Sequence, residues 1–535
     1  MNRRRTLSTG LSSIVIGLAG LTAACNDPTK PTFLGVEVPE EEVCEASANW
    51  LPNTPELPQF LPVPHPAGEC PFYRSGWQNF LVAMQPDAAG VPALLKYPTI
   101  DQVFEHAVPR PANRSYLGDI KQAGGREILI DQNGNSLYYG IHVNQAFKDF
   151  ILAYGLQDAA KLRAYPTTDA TANLVFPPGV VEFKSAWQIV EGDTPQAIAD
   201  MKKDYITINT TVPTISQDPA THVIHEDRNT PRNVTVRLLA IHVVSTLVGH
   251  PEFVWASFEH TTHRATGKTD TAVADSQRDV APILAADRNP SDDDFTNAHV
   301  EEVVSATNHV LYKAGTKANE ANKAFTDSEL RLVGQKFMRA DNMAVPAQTS
   351  IYRMYPASKS NTFEADPAIT SLNHNVEVLF AQHGPDDLRG NYRLLGAQWM
   401  DKPYYFEKDI PIQNDQDSPM LRPGLHRSQE GEMVGPITLD TLKEHIKADG
   451  SDSEFSILAG EDRMSSTAME SFTQPTGSFH NCFTCHNTQA ITANGIPLNR
   501  DQLQPIKLLD AGLLNVSHII SQFLLEEYED AHPAP

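Results

Sequence analysis

Alternation of apolar and polar residues predicts β-strands in the middle of the chain. From Val181 to Ile189, apolar or small residues alternate with a polar set that begins with Glu182 and Lys184. This pattern is typical of a half-buried strand, with one face toward a core and one toward solvent. Residues 234–244 and 253–260 are rich in β-branched and aromatic side chains. They predict two further core strands joined by a short turn.

An Asn-Gly pair predicts a hairpin ahead of these strands. Asn133-Gly134 lies between two apolar runs, residues 127–130 and 136–143. Asn-Gly between such runs is a strong signal for a tight turn that joins antiparallel strands. We therefore expect antiparallel pairing in the sheet.

Helical periodicity appears on both sides of the predicted strands. From Phe147 onward, apolar residues recur at three- and four-residue intervals and predict a helix, and residues 372–380 show the same pattern. The apolar run 76–82 fits either a buried helix or a buried strand. Residues 265–345 are more polar and are predicted to form insertions and surface helices. The mixture predicts an α+β body.

The chain ahead of this body is rich in proline. Ten of the 39 prolines lie between Pro28 and Pro71, and residues 40–42 are all acidic. Such a composition predicts an extended tether over residues 26–70. Ordered structure is expected to begin near Phe72.

The overall charge narrows the classes of partner. The 535 residues include 42 Lys and Arg against 66 Asp and Glu, which gives a net charge of −24. This excess of acid repels the phosphates of nucleic acid and of anionic membrane surfaces. It favours a basic protein partner instead. After the first 25 residues, no run of 18 apolar residues predicts a membrane-spanning helix.

The first 25 residues have the order of an export signal. Three arginines, residues 3–5, precede a short apolar stretch over 11–21, and small residues lead into Cys25. The ending resembles a lipobox, which predicts lipidation of Cys25; the alternative is an ordinary cleavage site with an incidental cysteine. We therefore expect a periplasmic or outer-surface bacterial protein, attached to a membrane only through lipid. Export also predicts an oxidising compartment.

The most specific motif lies near the C-terminus. Residues 482–486 read Cys-Phe-Thr-Cys-His, the C-x-x-C-H pattern of c-type haem attachment. The thiols of Cys482 and Cys485 have the spacing to add to the two vinyl groups of one haem, with His486 as the proximal iron ligand. A redox dithiol would need a thioredoxin-like context, and half a zinc site would need a second ligand pair; neither is visible. The sequence predicts one covalent haem c.

Two cysteines remain after these assignments, Cys44 and Cys70. They flank the proline-rich stretch 52–66, so that a disulfide between them would fix an otherwise loose lead-in to the body. Two free thiols are the alternative. The disulfide is the prediction that suits an oxidising compartment.

Several segments spread along roughly residues 70–490 carry a family resemblance. Together with the haem motif they resemble large exported bacterial proteins described as cytochrome c family proteins, which have one C-terminal haem motif and no settled reaction. The resemblance implies a haem c protein and carries over Cys482, Cys485 and His486, but no catalytic residue. The segments are Trp77-Gln78-Asn79-Phe80, Asp131-Gln132-Asn133-Gly134, Glu182-Phe183-Lys184-Ser185-Ala186-Trp187, Ala240-Ile241-His242, Val254-Trp255-Ala256-Ser257-Phe258-Glu259-His260, Asn391-Tyr392-Arg393-Leu394-Leu395-Gly396-Ala397-Gln398-Trp399 and Ala468-Met469-Glu470-Ser471-Phe472.

The ligand opposite His486 across the iron is left open by the sequence. No methionine follows Cys482, and His518, in a helix predicted over 516–528, is the first candidate for the distal ligand, with Met469 as the alternative. An open distal position is a further alternative and favours enzyme chemistry. The remaining candidates are Met464, His480 and two histidines on predicted core strands, His242 and His260, which fit hydrogen-bonded core positions better than iron ligation.

The predicted organisation has four parts. Residues 1–25 are the export signal, 26–70 the tether, 71–465 the α+β body and 466–535 a mostly helical haem-c segment. The 50 residues after Cys485 are too few for a self-sufficient haem domain, so this segment is expected to dock on the body.

Two functions fit this organisation. The first is one-electron transfer by a cell-envelope mono-haem cytochrome, with a basic redox partner. The alternative is a haem enzyme, a peroxidase or oxygenase, in which the large body builds an open distal site for a small-molecule substrate. A third interpretation makes the body a binding module whose haem is an electron outlet.

Overall fold

The protein is an α+β molecule built on an antiparallel sheet, as the alternation pattern predicts. A computed structural model describes its residues 44–51, 69–104, 117–123, 127–158, 176–192, 194–247, 250–260, 308–353, 367–400 and 466–472, together with Cys482 and some shorter stretches. No helix in these residues has the length and apolar character needed to cross a membrane.

The main sheet has seven strands in the described part of the chain. The strands are β1 (Tyr138–Val143), β2 (Val181–Ile189), β3 (Thr207–Gln217), β4 (Ile224–Leu247), β5 (His250–His260), β9 (Tyr392–Met400) and β10 (Leu458–Gly460). Their order in the sheet is β10-β9-β5-β4-β2-β1, and β3 pairs with the first half of the long strand β4. All of these pairings are antiparallel.

A second, smaller sheet lies in a region for which the sequence predicts insertions and surface helices. Residues 330–346 instead form an antiparallel meander of three strands, β6 (Leu330–Val333), β7 (Lys336–Arg339) and β8 (Asn342–Pro346). The helical prediction is therefore wrong here. The extended chain is held by long-range bonds to β3, where both the N–H and the C=O of Ile215 pair with the Gln335 side chain at 2.8 and 3.0 Å.

The described residues include five helices, of which the one at 70–83 and the one at 367–383 pack against one face of the main sheet. The predicted helices around residues 147 and 372 are confirmed, and the apolar run 76–82 is a helix rather than a strand. The helices are α1 (Cys70–Ala83), α2 (Ile100–Val103), α3 (Gln145–Tyr154), α4 (Pro195–Asp204) and α5 (Pro367–His383), and 3-10 turns occur at Ala48–Trp50, Ala93–Lys96, Asp327–Glu329 and Leu388–Asn391.

The apolar core lies between the sheet and the helices α1 and α5. Phe258 of β5 meets Trp77 edge-on at 5.0 Å between ring centroids and stacks on Phe80 at 4.6 Å. Gly76 permits this close approach, because a Cβ atom there would lie 2.8 Å from the Cβ of Ala256. We call this side of the sheet the helix face.

The predicted Asn-Gly hairpin is only partly formed. Gly134 turns the chain with a φ of 81°, and a single bridge joins Ile130 to Ser136 ahead of β1. The residues before the turn do not continue as a long strand. Instead Thr349, from a distant segment, binds the backbone of Ile130 through its N–H and its hydroxyl. The first arm is therefore short and is bound both to the second arm and to this distant segment.

The lead-in to the body is partly packed. Cys44 and Cys70 form the predicted disulfide, with Cα atoms 5.3 Å apart. Trp50 is 2% exposed and lies in the main apolar cluster, although it falls within the predicted tether. The Cys44 N–H donates to Ser371 Oγ of α5 at 2.8 Å, which adds a second attachment to the body.

Candidate functional site

The second face of the main sheet is polar and buried, and we call it the polar face. On β2 it carries the residues that the alternation pattern assigns to solvent, and on β4 and β5 it carries polar residues of the predicted core strands. Glu182 is 4% exposed, His242 8%, and Ser257 and Glu259 are fully buried. The prediction that β2 is only half buried is therefore wrong, because other segments of the chain cover its polar side.

Strand register aligns the polar-face residues in three rows across the sheet. In the first row Val244 lies opposite Glu182, Trp255 opposite Val244 and Gln398 opposite Trp255. The second row contains Lys184, His242 and Ser257, and the third contains Ala186, Ala240, Glu259 and Arg393.

A short segment, residues 466–472, lies across this face, and we call it the covering segment. The Thr467 N–H and hydroxyl both donate to Glu259 Oε1, at 2.6 and 3.2 Å. The Tyr139 hydroxyl of β1 donates to the carbonyl of Ala468 at 2.8 Å. These bonds attach the segment to the interior strand β5 and to β1 at the end of the strand order, and it ends ten residues before Cys482.

The covering segment also contributes one acid to the face. Glu470 Oε1 contacts His242 Nε2, and the other ring nitrogen, Nδ1, lies 2.8 Å from Ser257 Oγ. Burial acts to raise the pKa of Glu470, but the charge and hydrogen bond of His242, with Lys184 nearby, outweigh it and hold that pKa below its usual range. The Glu470 side chain is 36% exposed. The chain of hydrogen bonds therefore runs from the partly exposed carboxylate of Glu470 to the buried hydroxyl of Ser257.

This arrangement has the composition of a Ser-His-Glu triad but suits a different role. Ser257 is fully buried in the middle of a central strand, where no substrate carbonyl can approach it. A nucleophilic serine must be accessible and aligned with its base. The Glu470–His242–Ser257 chain is suited to fastening the covering segment and to moving a proton inward.

The haem motif begins against the same face. The Cys482 N–H donates to Gln398 Oε1 at 2.6 Å, and Gln398 itself is fully buried on β9. Cys482 is partly exposed and lies outside the disulfide, so its thiol remains chemically suited to a thioether bond. Of the predicted attachment residues, Cys482 is the one that falls within the described residues, and its assignment stays a prediction.

Glu182 differs from the other acids of the polar face. Its Oε2 atom is buried without a hydrogen-bond partner among the residues that the structure describes. Burial raises the pKa of this carboxyl to about 8, and the charge of Lys184 opposes the rise only in part. The group therefore favours its neutral form at pH 7.

The two core histidines considered as iron ligands both have protein partners, as the core interpretation predicts. His242 is bound as described above. His260 bonds through Nε2 to the Asp204 carbonyl at 3.0 Å and stacks on Tyr205 at 3.6 Å between ring centroids. Burial lowers the pKa of His260 to about 3, so the ring stays neutral.

Met469, the alternative distal ligand, is buried at 1% exposure in an apolar cluster with Ala468 and Phe472. Iron ligation would require its side chain to leave that cluster. In the described part of the chain, no group of three or more His, Cys, Asp or Glu side chains is arranged to hold a metal ion.

Several predicted residues lie outside the described part of the chain, and their assignments stay predictions. These are the lipidation candidate Cys25, the haem residues Cys485 and His486, and the ligand candidates His518, Met464 and His480.

The sequence pattern missed most of the polar face. Glu470 and His242 are separated by 228 positions, Thr467 and Glu259 by 208, so no local spacing relates them. The available signal was charge on a strand: Glu182 lies in a run that is otherwise typical of a core strand.

Comparisons with known proteins add no evidence to these observations. Neither a protein-family model, nor a curated protein, nor a solved structure matches the chain.

Proposed function

We propose that the protein is an exported mono-haem c-type cytochrome that transfers single electrons. The haem is bound through Cys482 and Cys485, with His486 as proximal iron ligand, and Cys25 carries the lipid that anchors the chain at the cell envelope. A covalently bound haem supplies a one-electron redox centre whose potential depends on its axial ligands and surroundings. The α+β body seats the C-terminal haem segment.

The observation that carries this proposal is the bond between Cys482 and Gln398. The first residue of a C-x-x-C-H motif has its backbone N–H fastened to a buried side chain of the main sheet at 2.6 Å. The covering segment just before it is bound to β1, β4 and β5. A haem attached at Cys482 would therefore have a fixed position relative to the sheet, as a defined redox potential requires.

In this proposal the α+β body holds a haem segment that is too short to fold alone. A haem segment of 70 residues, 466–535, has little core of its own. The polar face supplies the hydrogen-bonding groups, and the helix face supplies the apolar core that keeps the sheet rigid. The net charge of −24 favours a basic redox partner, whose association should slow as salt screens the attraction.

Covalent haem is the decisive test. The full chain is produced with its leader in bacteria that mature c-type cytochromes, and haem is measured by the pyridine haemochrome spectrum and by intact mass. We expect one haem per chain that is reduced and reoxidised reversibly. Cys482→Ser with Cys485→Ser should remove it, whereas Cys25→Ser should change the anchoring and keep the haem.

Absence of covalent haem from the wild-type chain would refute the proposal. Haem that persists in the double variant would refute the assignment of the motif. Haem that cannot be cycled between its two oxidation states would refute electron transfer.

A second candidate, a haem peroxidase or oxygenase, is favoured by the acid and base groups on the polar face. Glu182, Lys184 and His242 have the carboxyl, amine and imidazole side chains that general acid–base catalysis uses. Such groups serve catalysis only if the distal side of the iron is open. A high-spin ferric spectrum with peroxide turnover or oxygen uptake would favour the enzyme. A low-spin spectrum, indicating two axial ligands, would favour the electron carrier and leave His518 as the first distal ligand to substitute.

A further inference from the structure

Glu182 is an ionisable side chain whose Oε2 atom takes no part in the hydrogen bonds described for the polar face. Its side chain is buried, and its Oε2 atom has no partner within the described residues. Burying a carboxylate without donors is costly, whereas the neutral acid is far better tolerated. At this position the neutral carboxylic acid is therefore favoured over the carboxylate, and the side chain can gain or lose its charge when its surroundings change.

The immediate neighbours of Glu182 do not fix its charge. Val143 and Val244 lie directly opposite it on the two flanking strands. Lys184, on the same strand and face, donates its Nζ hydrogen to the Gln122 carbonyl at 3.0 Å.

Among the described residues, four further ionisable groups lie on or against this face. His242 lies diagonally across on β4, Glu470 reaches it from the covering segment, and Glu259 and Arg393 lie two rows away. His242 and Glu470 are bound to each other, and neither bonds to Glu182 Oε2.

The row that contains Glu182 leads to the haem motif. Glu182, Val244, Trp255 and Gln398 are successive register partners on β2, β4, β5 and β9. Adjacent strands lie about 4.8 Å apart, so the Cα atoms of Glu182 and Gln398 are roughly 14 Å apart. Gln398 holds the N–H of Cys482. Charges that face each other across buried protein are screened much less than in water, so a haem held beside Gln398 would interact with the charge of Glu182.

From this juxtaposition we propose that Glu182 takes up one proton when the haem iron gains one electron. The inference rests on the proposed function, since it requires a haem at Cys482. The redox partner supplies the electron and solvent supplies the proton. With haem bound, Glu182 would pass from carboxylate to carboxylic acid as the iron gained its electron, and would release the proton again on oxidation. The proton restores the positive charge that reduction removes.

The coupling is confined to a window of pH. Below the window the carboxyl is protonated in both oxidation states, and above it the carboxyl is ionised in both. Because burial raises the pKa of Glu182 to about 8, the window lies around that pH. Within it the reduction potential falls as pH rises, since reduction consumes a proton.

The test uses the haem-loaded full chain, with redox titrations between pH 6 and pH 10. In the wild type the potential should fall by up to about 59 mV per pH unit in the window and level off outside it. Glu182→Gln should remove that dependence. Reduced-minus-oxidised infrared spectra should show a carboxylic acid C=O band in the wild type that is absent from the variant.

Glu191→Gln is the matched control. Glu191 lies just beyond the end of β2 and pairs with Lys336 at the surface; hydrogen bonds and the charge of Lys336 outweigh burial and lower its pKa, so it stays ionised across the titration. This variant should keep the wild-type slope and infrared band.

The possible failures are distinguishable. A chain without covalent haem refutes the proposed function. A haem-loaded chain with a flat potential, or with the same slope in Glu182→Gln, overturns the proton coupling alone. If Glu182→Gln does not fold, Glu182→Asp takes its place: a shifted window and infrared band support the proposal, and an unchanged window and band overturn it.

Discussion

The two faces of the main sheet are built from the same strands but are held by different interactions. On the helix face, Phe258 packs between Trp77 and Phe80. On the polar face, its neighbours in sequence, Ser257 and Glu259, bind His242 and Thr467 by hydrogen bonds. Both faces are buried, but apolar contact holds one and long-range polar contact holds the other.

This difference separates stability from positioning. Apolar burial contributes in proportion to area and tolerates small shifts, whereas hydrogen bonds between buried groups require particular geometry. The helix face is thus expected to supply most of the folding free energy. The polar face is expected to determine where the covering segment, and the haem motif after it, are held.

The largest expected effect comes from removing the aromatic ring at the centre of the helix face. Phe258→Ala should lower the free energy of unfolding by about 3–5 kcal/mol, because it removes a buried ring and leaves a cavity. Urea unfolding measures it. Ser257→Ala, one residue away on the other face, should cost about 1 kcal/mol. Equal losses in the two variants would contradict the division of labour between the faces.

Glu182 makes the stability of the fold fall as pH rises through the neutral range. Its folded pKa of about 8 lies above the ordinary value of 4.5, so its contribution to stability is complete below pH 4.5 and is lost as pH rises to about 8. The loss should approach 1.4 kcal/mol per pH unit in that range. Glu182→Gln should flatten the dependence in urea unfolding series. A slope equal to that of the wild type would contradict the burial of an uncompensated carboxyl.

His260 gives the opposite dependence. Burial lowers its folded pKa to about 3 from an ordinary 6.5, so the stability it contributes is complete above pH 6.5 and is lost as pH falls toward 3. His260→Asn should reduce the acid sensitivity of unfolding, by up to about 1.4 kcal/mol per pH unit. His383→Asn, at an exposed position on α5, is the control and should leave the slope unchanged.

The smallest effect is expected at the edge of the covering segment. Glu470→Gln weakens a partly exposed contact with His242 and should cost about 1 kcal/mol or less. Its consequence should be local, with faster hydrogen exchange in residues 466–472 and little change in global unfolding. Glu320→Gln, at an exposed position, should change neither. Exchange that stays as slow as in the wild type would show that Glu470 does not fasten the segment.

How far the sequence predicts the fold depends on the range of the interactions. The helix α3, the strands β2 and β5 and the second half of β4 follow from local sequence pattern and are confirmed. The meander of β6 to β8 lies in a region predicted to form insertions and surface helices. Its strands pair with one another, and the Gln335 side chain attaches them to β3 from 120 positions away. The local pattern contains no signal of an attachment to so distant a part of the chain.

The candidate site shows the same limit more strongly. The prediction of haem attachment at residues 482–486 comes from the sequence alone, because two thiols and an imidazole at this spacing are the pattern of c-type haem attachment. The sequence also indicates that β2 has a polar side. That this side is buried, and that Gln398 binds Cys482 across 84 positions, is evident only from the folded chain. A period of two tells which residues share a face of a strand, but what covers that face depends on chain folding over hundreds of residues.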